Sequence, residues 1–396
     1  MKTLATLWAS NAAWAATGYG QQTKQVTSRM VNDGHSVAVA VNYGLEATMS
    51  EWEGIEHFPR GFDAYSQDVL PAYYADWARQ HLGQTPLLVT LYDTWVYSNP
   101  GLDTIPIASW VPIDHLPVPP KVAQWCAKDN VTPIAMSHYG AAQLTAAGIE
   151  HLCIPHGIDT NTFKPTATIE DASGVARTGR ELMNISDDDV HVTGIINANK
   201  GTSPVRKAFG EQLLAWSMFA SNKPDAHLYI HSEISGAMGG IPLQPLIDSV
   251  GINKNQVHYV NQYLLRTGIP NDAMAAIYTG LDVLLAATLG EGFGLTVAEA
   301  EACGTRVIVN NFTAQPELVV DGWKVSGQPL WDAAQGAWFN TPSVHDMARA
   351  LEESYDRKDD KHSADTRAHI VDNYDADKIY NELWRPALAG FADREE

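Results

Sequence analysis

Cysteine is scarce in this chain: among 396 residues only Cys126, Cys153 and Cys303 carry thiols, widely spaced and without a C-x-x-C pair. Such a set builds neither a disulfide framework nor a zinc site, and it fits a reducing cytoplasm. Positive charge is also short, with 26 Lys and Arg against 46 Asp and Glu and a formal net charge of −20. Broad contact with nucleic acid or an anionic membrane is therefore disfavoured, since both need local positive charge to displace counterions or meet lipid phosphates. The helical stretches of the first half hold few Lys or Arg, which argues against a basic membrane-docking helix. No apolar run reaches the roughly 18 residues that span a bilayer, so no integral membrane association is expected. Lys2, Leu4–Trp8 and the small residues Ala12–Ala16 loosely imitate a signal peptide, but Ser10 and Asn11 break the apolar core, and the segment reads as a first strand. Internal repeats and low-complexity tracts are absent.

What the chain does have is a repeated alternation of short apolar runs with helical stretches. Strand-like runs are Leu4–Trp8, Ser36–Val41, Leu87–Leu91, Ile107–Val111 and Val131–Ala135, separated by helix candidates such as Gln21–Val31, Ala72–His81, Pro120–Lys128 and Ala141–Ala147. That rhythm predicts a parallel sheet wrapped by helices. After a polar stretch, Thr166–Asp189, read as an interdomain linker, it resumes with strands at 192–196, 226–231, 256–260, 281–287 and 305–309. The acidic triplet Asp187–Asp189 on that linker reads as solvated charge rather than a metal site. Leu351 to the C-terminus reads as mainly helical, with Tyr380, Leu383 and Trp384 as its buried face. The resulting division is an N-terminal domain with linker over 1–180, a C-terminal domain over 181–374, and a final helix over 375–396 that returns to the first domain.

Chemistry concentrates in Gly290-Glu291-Gly292-Phe293-Gly294-Leu295-Thr296-Val297-Ala298-Glu299, which sets two carboxylates eight residues apart across a glycine-rich turn into a helix. Glycines let the backbone approach a ligand, and the amides of Phe293, Gly294 and Leu295 fall at a helix N-terminus, where an anion is stabilised. Gly304 is read as the helix C-cap. Glu291 sits in the loop and Glu299 about two turns into the helix; an ionised carboxylate accepts at both oxygens, so each suits a vicinal diol, one on a sugar and one on a ribose. Upstream, the strand Val192–Ile196 leads into a helix predicted from Ser203, with Pro204 at its first position and Phe209, Leu213, Trp216 and Ala220 on its buried face. Arg206 and Lys207 then fall in the first turn, where positive charge opposes the helix dipole unless an anion is bound.

Glu-Gly-Phe-Gly-Leu followed by the second Glu at this spacing resembles the E-x7-E signature of retaining family 4 glycosyltransferases. His156–Pro165 resembles the segment that closes the first domain in that family, and Arg206-Lys207 the pair that neutralises its leaving diphosphate. The resemblance covers nearly the whole chain, most strongly from Val192 to Leu318. It implies the GT-B fold, α/β with two Rossmann-like doubly wound domains facing a central cleft. It also implies a nucleotide-diphosphate sugar as co-substrate, with no other cofactor and no metal, as no Asp-x-Asp cluster is suitably placed. In that family the first Glu contacts the donor sugar and the second the ribose, which assigns Glu291 and Glu299. Gly18 and Gly20, in the turn after the first strand, resemble the family turn that approaches the donor phosphates. Where many relatives carry His-Asp near the transferred sugar, this chain has Tyr92-Asp93, so the contact falls to Tyr92, to Asp93 or to neither, with Asp114 and His115 as further polar candidates. Trp95 and Trp110 read as core packing.

The expected activity is transfer of a sugar with retention, in which Arg206, Lys207 and helix-terminus amides stabilise the departing diphosphate and Glu291 holds sugar hydroxyls. Alternatives are a GT-B sugar-nucleotide epimerase and a silent nucleotide-sugar-binding protein. The acceptor is open among glycan, lipid, protein and modified base; aromatic residues such as Trp52, Phe58, Phe62, Tyr65, Tyr73, Tyr74 and Trp77 are candidates to stack on it. The donor base is also open.

Overall fold

The computed structural model of the chain describes residues 2–171, 173–186, 189–357, 360 and 362–393. Two compact units result: one of Met1–Gly157, Gln335–Ala337 and Ala376–Glu396, the other of Ile158–Ala334 and Trp338–Asp375.

The first unit is an eight-stranded sheet built from β1 (Leu4–Ser10), β2 (Ser36–Val41), β3 (Ser50–Trp52), β4 (Ile55–Phe58), β5 (Thr85–Leu91), β6 (Ile107–Val111), β7 (Val131–Ala135) and β8 (Leu152–Cys153). Its order is β3-β4-β2-β1-β5-β6-β7-β8, parallel throughout except for the β3–β4 hairpin, which the periodicity did not signal. The segment with a signal-peptide look is the central strand β1, buried along its whole length. A strand buried on both faces reads as a continuous apolar run, hence the ambiguity. The core is anchored by three indoles: Trp8 lies 6.3 Å from Trp110 and 5.8 Å from Trp384, and Trp110 lies 4.9 Å edge-on to Trp384. Trp384 comes from the C-terminal segment, whose residues 376–393 pack within this unit. Tyr380 and Trp384 are buried there, while Leu383 is half-buried. Such interlocked ring pairs contribute about 0.5–1.5 kcal/mol each beyond their area.

Two further strands, β9 (Thr168–Glu170) and β10 (Ala176–Thr178), form an antiparallel pair, followed by a short helix, Gly179–Leu182. This is the segment expected to be a linker. It folds instead as part of the second unit, because Arg180 enters the interior and donates to Asp282 at 2.8 Å and to the Val190 carbonyl at 2.9 Å. The domain boundary therefore falls at Gly157–Ile158 rather than near residue 180. Asp189 of the acidic triplet is described, whereas Asp187 and Asp188 lie outside the described residues.

The second unit carries β11 (His191–Ile196), β12 (Ala226–His231), β13 (Val257–Tyr259), β14 (Val283–Leu285), β15 (Val307–Asn310) and β16 (Trp323–Val325), all parallel, in the order β13-β12-β11-β14-β15-β16. The helix Phe209–Ala220 covers one face through Phe209, Leu213, Trp216 and Ala220, all buried as their spacing predicts. It starts at Phe209, five residues later than expected from Pro204. Ala208 adopts a left-handed backbone (φ 50°), and the Leu289 amide donates to the Arg206 carbonyl at 2.9 Å. This long-range pairing holds 205–208 out of the helix and overrides the local N-cap and proline signals.

Both sheets reverse winding direction between two neighbouring strands: β1 and β5 in the first, β11 and β14 in the second. Loops leaving the carboxyl ends of such strand pairs diverge to opposite faces and leave a crevice, the usual ligand position in open α/β sheets.

Candidate donor site at the second switch point

The loop after β11 brings Arg206 and Lys207, and the loop after β14 brings Glu291. Lys207 Nζ lies 2.5 Å from Glu291 Oε1, and Arg206 donates to Glu291 Oε2 at 3.2 Å and to the Gly290 carbonyl at 2.9 Å. Glu291 is 12% exposed at its side chain, Lys207 15% and Arg206 36%, so the pair with Lys207 is the better shielded from solvent. Burial alone would raise the Glu291 carboxyl, but Lys207, and then Arg206, outweigh it and hold the group at about 2. The two cations and the carboxylate thus form one charged cluster. The expectation that the basic pair opposes a helix dipole in the first turn is corrected: both residues precede the helix, and Glu291 is their protein partner.

The Glu291 loop is fixed from several directions. Its amide donates to Thr313 Oγ1 at 2.9 Å, and Thr313 itself takes a left-handed φ of 51°. Gln315 donates to the Ala286 carbonyl at 2.6 Å and Asn310 to the Thr288 carbonyl at 2.8 Å. Gln212 reaches back to the Lys207 carbonyl at 2.5 Å. Two non-glycine residues held left-handed, Ala208 and Thr313, thus flank the cluster, and backbone held this way at a cost of about 1–3 kcal/mol concentrates at functional sites. None of Thr313, Gln315, Asn310 or Gln212 was singled out in the sequence. The partners of Thr313, Gln315 and Asn310 lie more than twenty residues away, Gln212 turns back across the unexpected left-handed Ala208, and only the polar Asn310-Asn311 closing the apolar β15 run could have drawn notice.

Gly294 caps the helix Leu295–Ala302 with φ 110°, a conformation that favours glycine. The first amides of a helix have no intrahelical acceptor, so those of Leu295 and Thr296 are available to an anion. The Phe293 side chain is buried, edge-on to Tyr374 at 5.5 Å, and Gly292 is buried beside it; both shape the turn. Glu299 lies just over one turn into the helix, not two, because the helix begins at Leu295. The Tyr278 hydroxyl donates to Glu299 Oε2 at 2.8 Å, and burial raises the Glu299 carboxyl to about 7 against that hydrogen bond, which lowers it. Cys303 caps the helix and Gly304, one residue on, takes φ 82°.

In the first unit, the sequence-selected residues lie on segments that follow its own central strands. Gly18 and Gly20 lie inside the first turn of the helix Gly18–Asn32, not in a loop before it, because Thr17 caps the helix by accepting from the Gly20 amide. Gly20 has a packing reason: a Cβ there would stand 2.3 Å from the Ala15 carbonyl oxygen. The Tyr92 hydroxyl accepts from Asn42 Nδ2 at 2.6 Å, and burial pushes its phenol up to about 12. Asp93 is half-buried next to it. His115 is buried against Asp114 at 2.7 Å. Trp110 is in the core as expected, whereas Trp95 is 37% exposed, contrary to expectation, because it leaves β5 on an outward turn. Among the described residues no group of three or more His, Cys, Asp or Glu is placed to hold a metal ion. No helix among them is long and apolar enough to cross a membrane.

Residues 188–357 match the family model described as Glycosyl transferases group 1. The D-inositol 3-phosphate glycosyltransferase of Paenarthrobacter aurescens (strain TC1) is 26% identical over 265 residues, covering 64% of this chain and 55% of that protein. The chain thus spans about half the length of the curated relatives it matches. Among solved structures, a glycosyltransferase from Rickettsia africae ESF-5 superposes with a TM-score of 0.70 at 13% identity, covering 100% of both chains. A sucrose-phosphate synthase from Thermosynechococcus elongatus gives a TM-score of 0.72 at 15% identity, covering 97% of this chain and 99% of that one. At these identities the likeness shows the fold, which is GT-B: two Rossmann-like α/β units.

Proposed function

We propose, taking the GT-B fold and the relationship to glycosyltransferases as premises, that this chain is a retaining, metal-independent glycosyltransferase that moves a sugar from a nucleotide-diphosphate sugar to an acceptor hydroxyl. The observation that carries this reading is the convergence of Arg206, Lys207 and Glu291 from separate loops at the second unit's switch point. A phosphate-binding group and a hydroxyl-binding group stand side by side there, as a sugar diphosphate requires.

In this reading the diphosphate lies against Arg206, Lys207 and the amides of Leu295 and Thr296. As the anomeric C–O bond to the diphosphate breaks, charge develops on the departing oxygen, and Arg206 and Lys207, turned to the diphosphate from Glu291 when the donor binds, stabilise it together with the helix amides. Glu291, kept ionised by its two cations, accepts from sugar hydroxyls. Glu299 accepts from the ribose diol. The acceptor oxygen bonds to the anomeric carbon on the face the diphosphate leaves, its proton passing to the departing phosphate oxygen, and the configuration is retained. Tyr92 or Asp93 is proposed as a sugar contact contributed by the first unit.

Calorimetric titration of UDP, GDP, ADP and TDP, without metal, into the wild type and into Arg206→Ala and Glu299→Ala tests the donor site. Selective binding of one diphosphate, lost in both variants, is the expected result. No binding by any of them overturns the reading. An acceptor screen then sets neutral saccharides against D-inositol 3-phosphate, the compound in the relatives' name.

A further inference from the structure

At the carboxyl edge of the first unit's sheet, three loops meet around one side-chain amide. Asn42, just past β2, donates to the Tyr92 hydroxyl at 2.6 Å and accepts from Ser66 Oγ at 3.2 Å. Tyr92 follows β5, and Ser66 belongs to the long connection after β4. Beside this polar clamp the rings of Tyr65 and Trp95 stand 36% and 37% exposed, 6.0 Å apart and near-perpendicular, with Tyr65 also 6.3 Å from Tyr92. Exposed aromatic rings usually occur singly. Here they line up on the edge where this sheet reverses winding, which is a ligand position on topological grounds alone.

The edge is built rather than loose. Ser66 is buried in a left-handed conformation with φ 58°. Its neighbour Gln67 ties the two loops together, accepting from the amides of Ser98 at 2.7 Å and Asn99 at 2.9 Å and donating to the Val96 carbonyl at 3.1 Å. Rings held this way lose little freedom on binding, so their contact area is fully used. A ligand with an apolar C–H face and a rim of hydroxyls matches the combination of ring faces with amide, phenol and hydroxyl groups. Charge narrows the class further. Asp63 accepts from the Tyr65 amide at 2.7 Å and Asp93 acts on the Tyr92 phenol, against the cation Arg60, which also reaches Tyr92 and stands 3.7 Å from Glu46. A phosphate-bearing strand is repelled, and a neutral ring is not.

We infer that this edge binds a neutral sugar ring, stacked on Trp95 and Tyr65 and hydrogen-bonded by Asn42, Ser66 and Tyr92. Its role as the acceptor site rests on the transferase reading above; its binding of a sugar does not. The test is saturation-transfer NMR with methyl α-D-glucopyranoside, methyl α-D-mannopyranoside, methyl β-D-galactopyranoside and maltose, with an octathymidylate as the stacking control. It is run on the wild type, Trp95→Ala, Tyr65→Ala and Trp95→Phe. Both rings are on the surface, so circular dichroism is expected to be unchanged, and each sample is also titrated with the nucleoside diphosphates. The expected result is binding of at least one saccharide, weakened about tenfold in each alanine variant and largely kept in Trp95→Phe, with nucleotide binding unaltered. Saccharide binding that survives both alanine variants, absence of binding by all four, or binding of the oligonucleotide instead overturns the inference. Saccharide binding that behaves as expected in a protein that binds no nucleotide keeps this site and removes the transferase reading.

Discussion

The two sheets present the same architectural opening and furnish it differently. At the β11/β14 switch point the chain places Arg206, Lys207 and Glu291, charges that satisfy one another within 3.2 Å. At the β1/β5 switch point it places Tyr65, Tyr92 and Trp95 around the Asn42 amide. Fold alone fixes where a ligand can sit, and the residues on the emerging loops fix what kind. A charged opening needs a counter-charge and an underlying frame that resists desolvation; an aromatic one needs surface and rigidity.

Four perturbations probe that contrast, from the largest expected effect downwards. The frame beneath the charged opening depends on Arg180 and Asp282, 7% and 3% exposed, where Asp282 also accepts from the Val192 amide at 2.7 Å and so ties β14 to β11. Arg180→Leu leaves a carboxylate buried without its cation, and should cost roughly 3–5 kcal/mol in chemical denaturation. A loss under 1 kcal/mol would show that this opening needs no such frame. Lys207→Ala should lower kcat/KM for sugar transfer by roughly 10²–10³, the usual effect of deleting one preorganised donor at a developing charge. A drop of less than threefold would make the charges ornamental and the two openings equivalent.

The third perturbation is pH. Glu299 is raised by burial to about 7, so it is largely protonated in mildly acidic buffer and gains acceptor capacity as pH rises through 7. Donor affinity should therefore increase severalfold across that range relative to Glu299→Gln, in which this component disappears. The stability signs of the two carboxylates are opposite. Glu299 binds its proton more tightly folded than unfolded, so its contribution is fully present below the ordinary carboxyl value and is lost as pH rises through about 7. Glu291, held at about 2, contributes above the ordinary value and loses its contribution as pH falls towards 2. Urea midpoints of Glu299→Gln and Glu291→Gln against pH should diverge from wild type at opposite ends; parallel profiles would refute both assignments. Smallest is Tyr92→Phe at the aromatic opening, which removes one acceptor from Asn42 and should cost about 1 kcal/mol with little change in nucleotide binding.

Much of this was legible in the sequence because it is local. Apolar runs such as Ile107–Val111 and Val131–Ala135 gave strands with those bounds, and the 209, 213, 216, 220 spacing gave a buried face. The two carboxylates were found together because one short segment holds them both. What failed was set by distant residues. A good N-cap and proline at 203–204 lost to the Leu289–Arg206 backbone bond, and a polar stretch that looked like a linker was claimed by a buried arginine. Trp95, expected inside on hydrophobicity alone, is outside because the chain turns outward directly after β5. No periodicity could pair Glu291 with Thr313 or Glu299 with Tyr278, since those partners belong to different loops and helices.

The short contact between Lys207 and Glu291 makes the carboxylate a tethered competitor for its own cations. Held by the chain, it acts at an effective concentration of at least about millimolar. A small anion such as chloride or a lone phosphate, offering one point of attachment, must outbid a rival that never diffuses away. A ligand that brings both a phosphate for the cations and hydroxyls for the displaced carboxylate repays each broken contact as it forms the next. If the proposed donor binds here, the resting ion pair would favour it over abundant simple anions before any pocket shape is consulted.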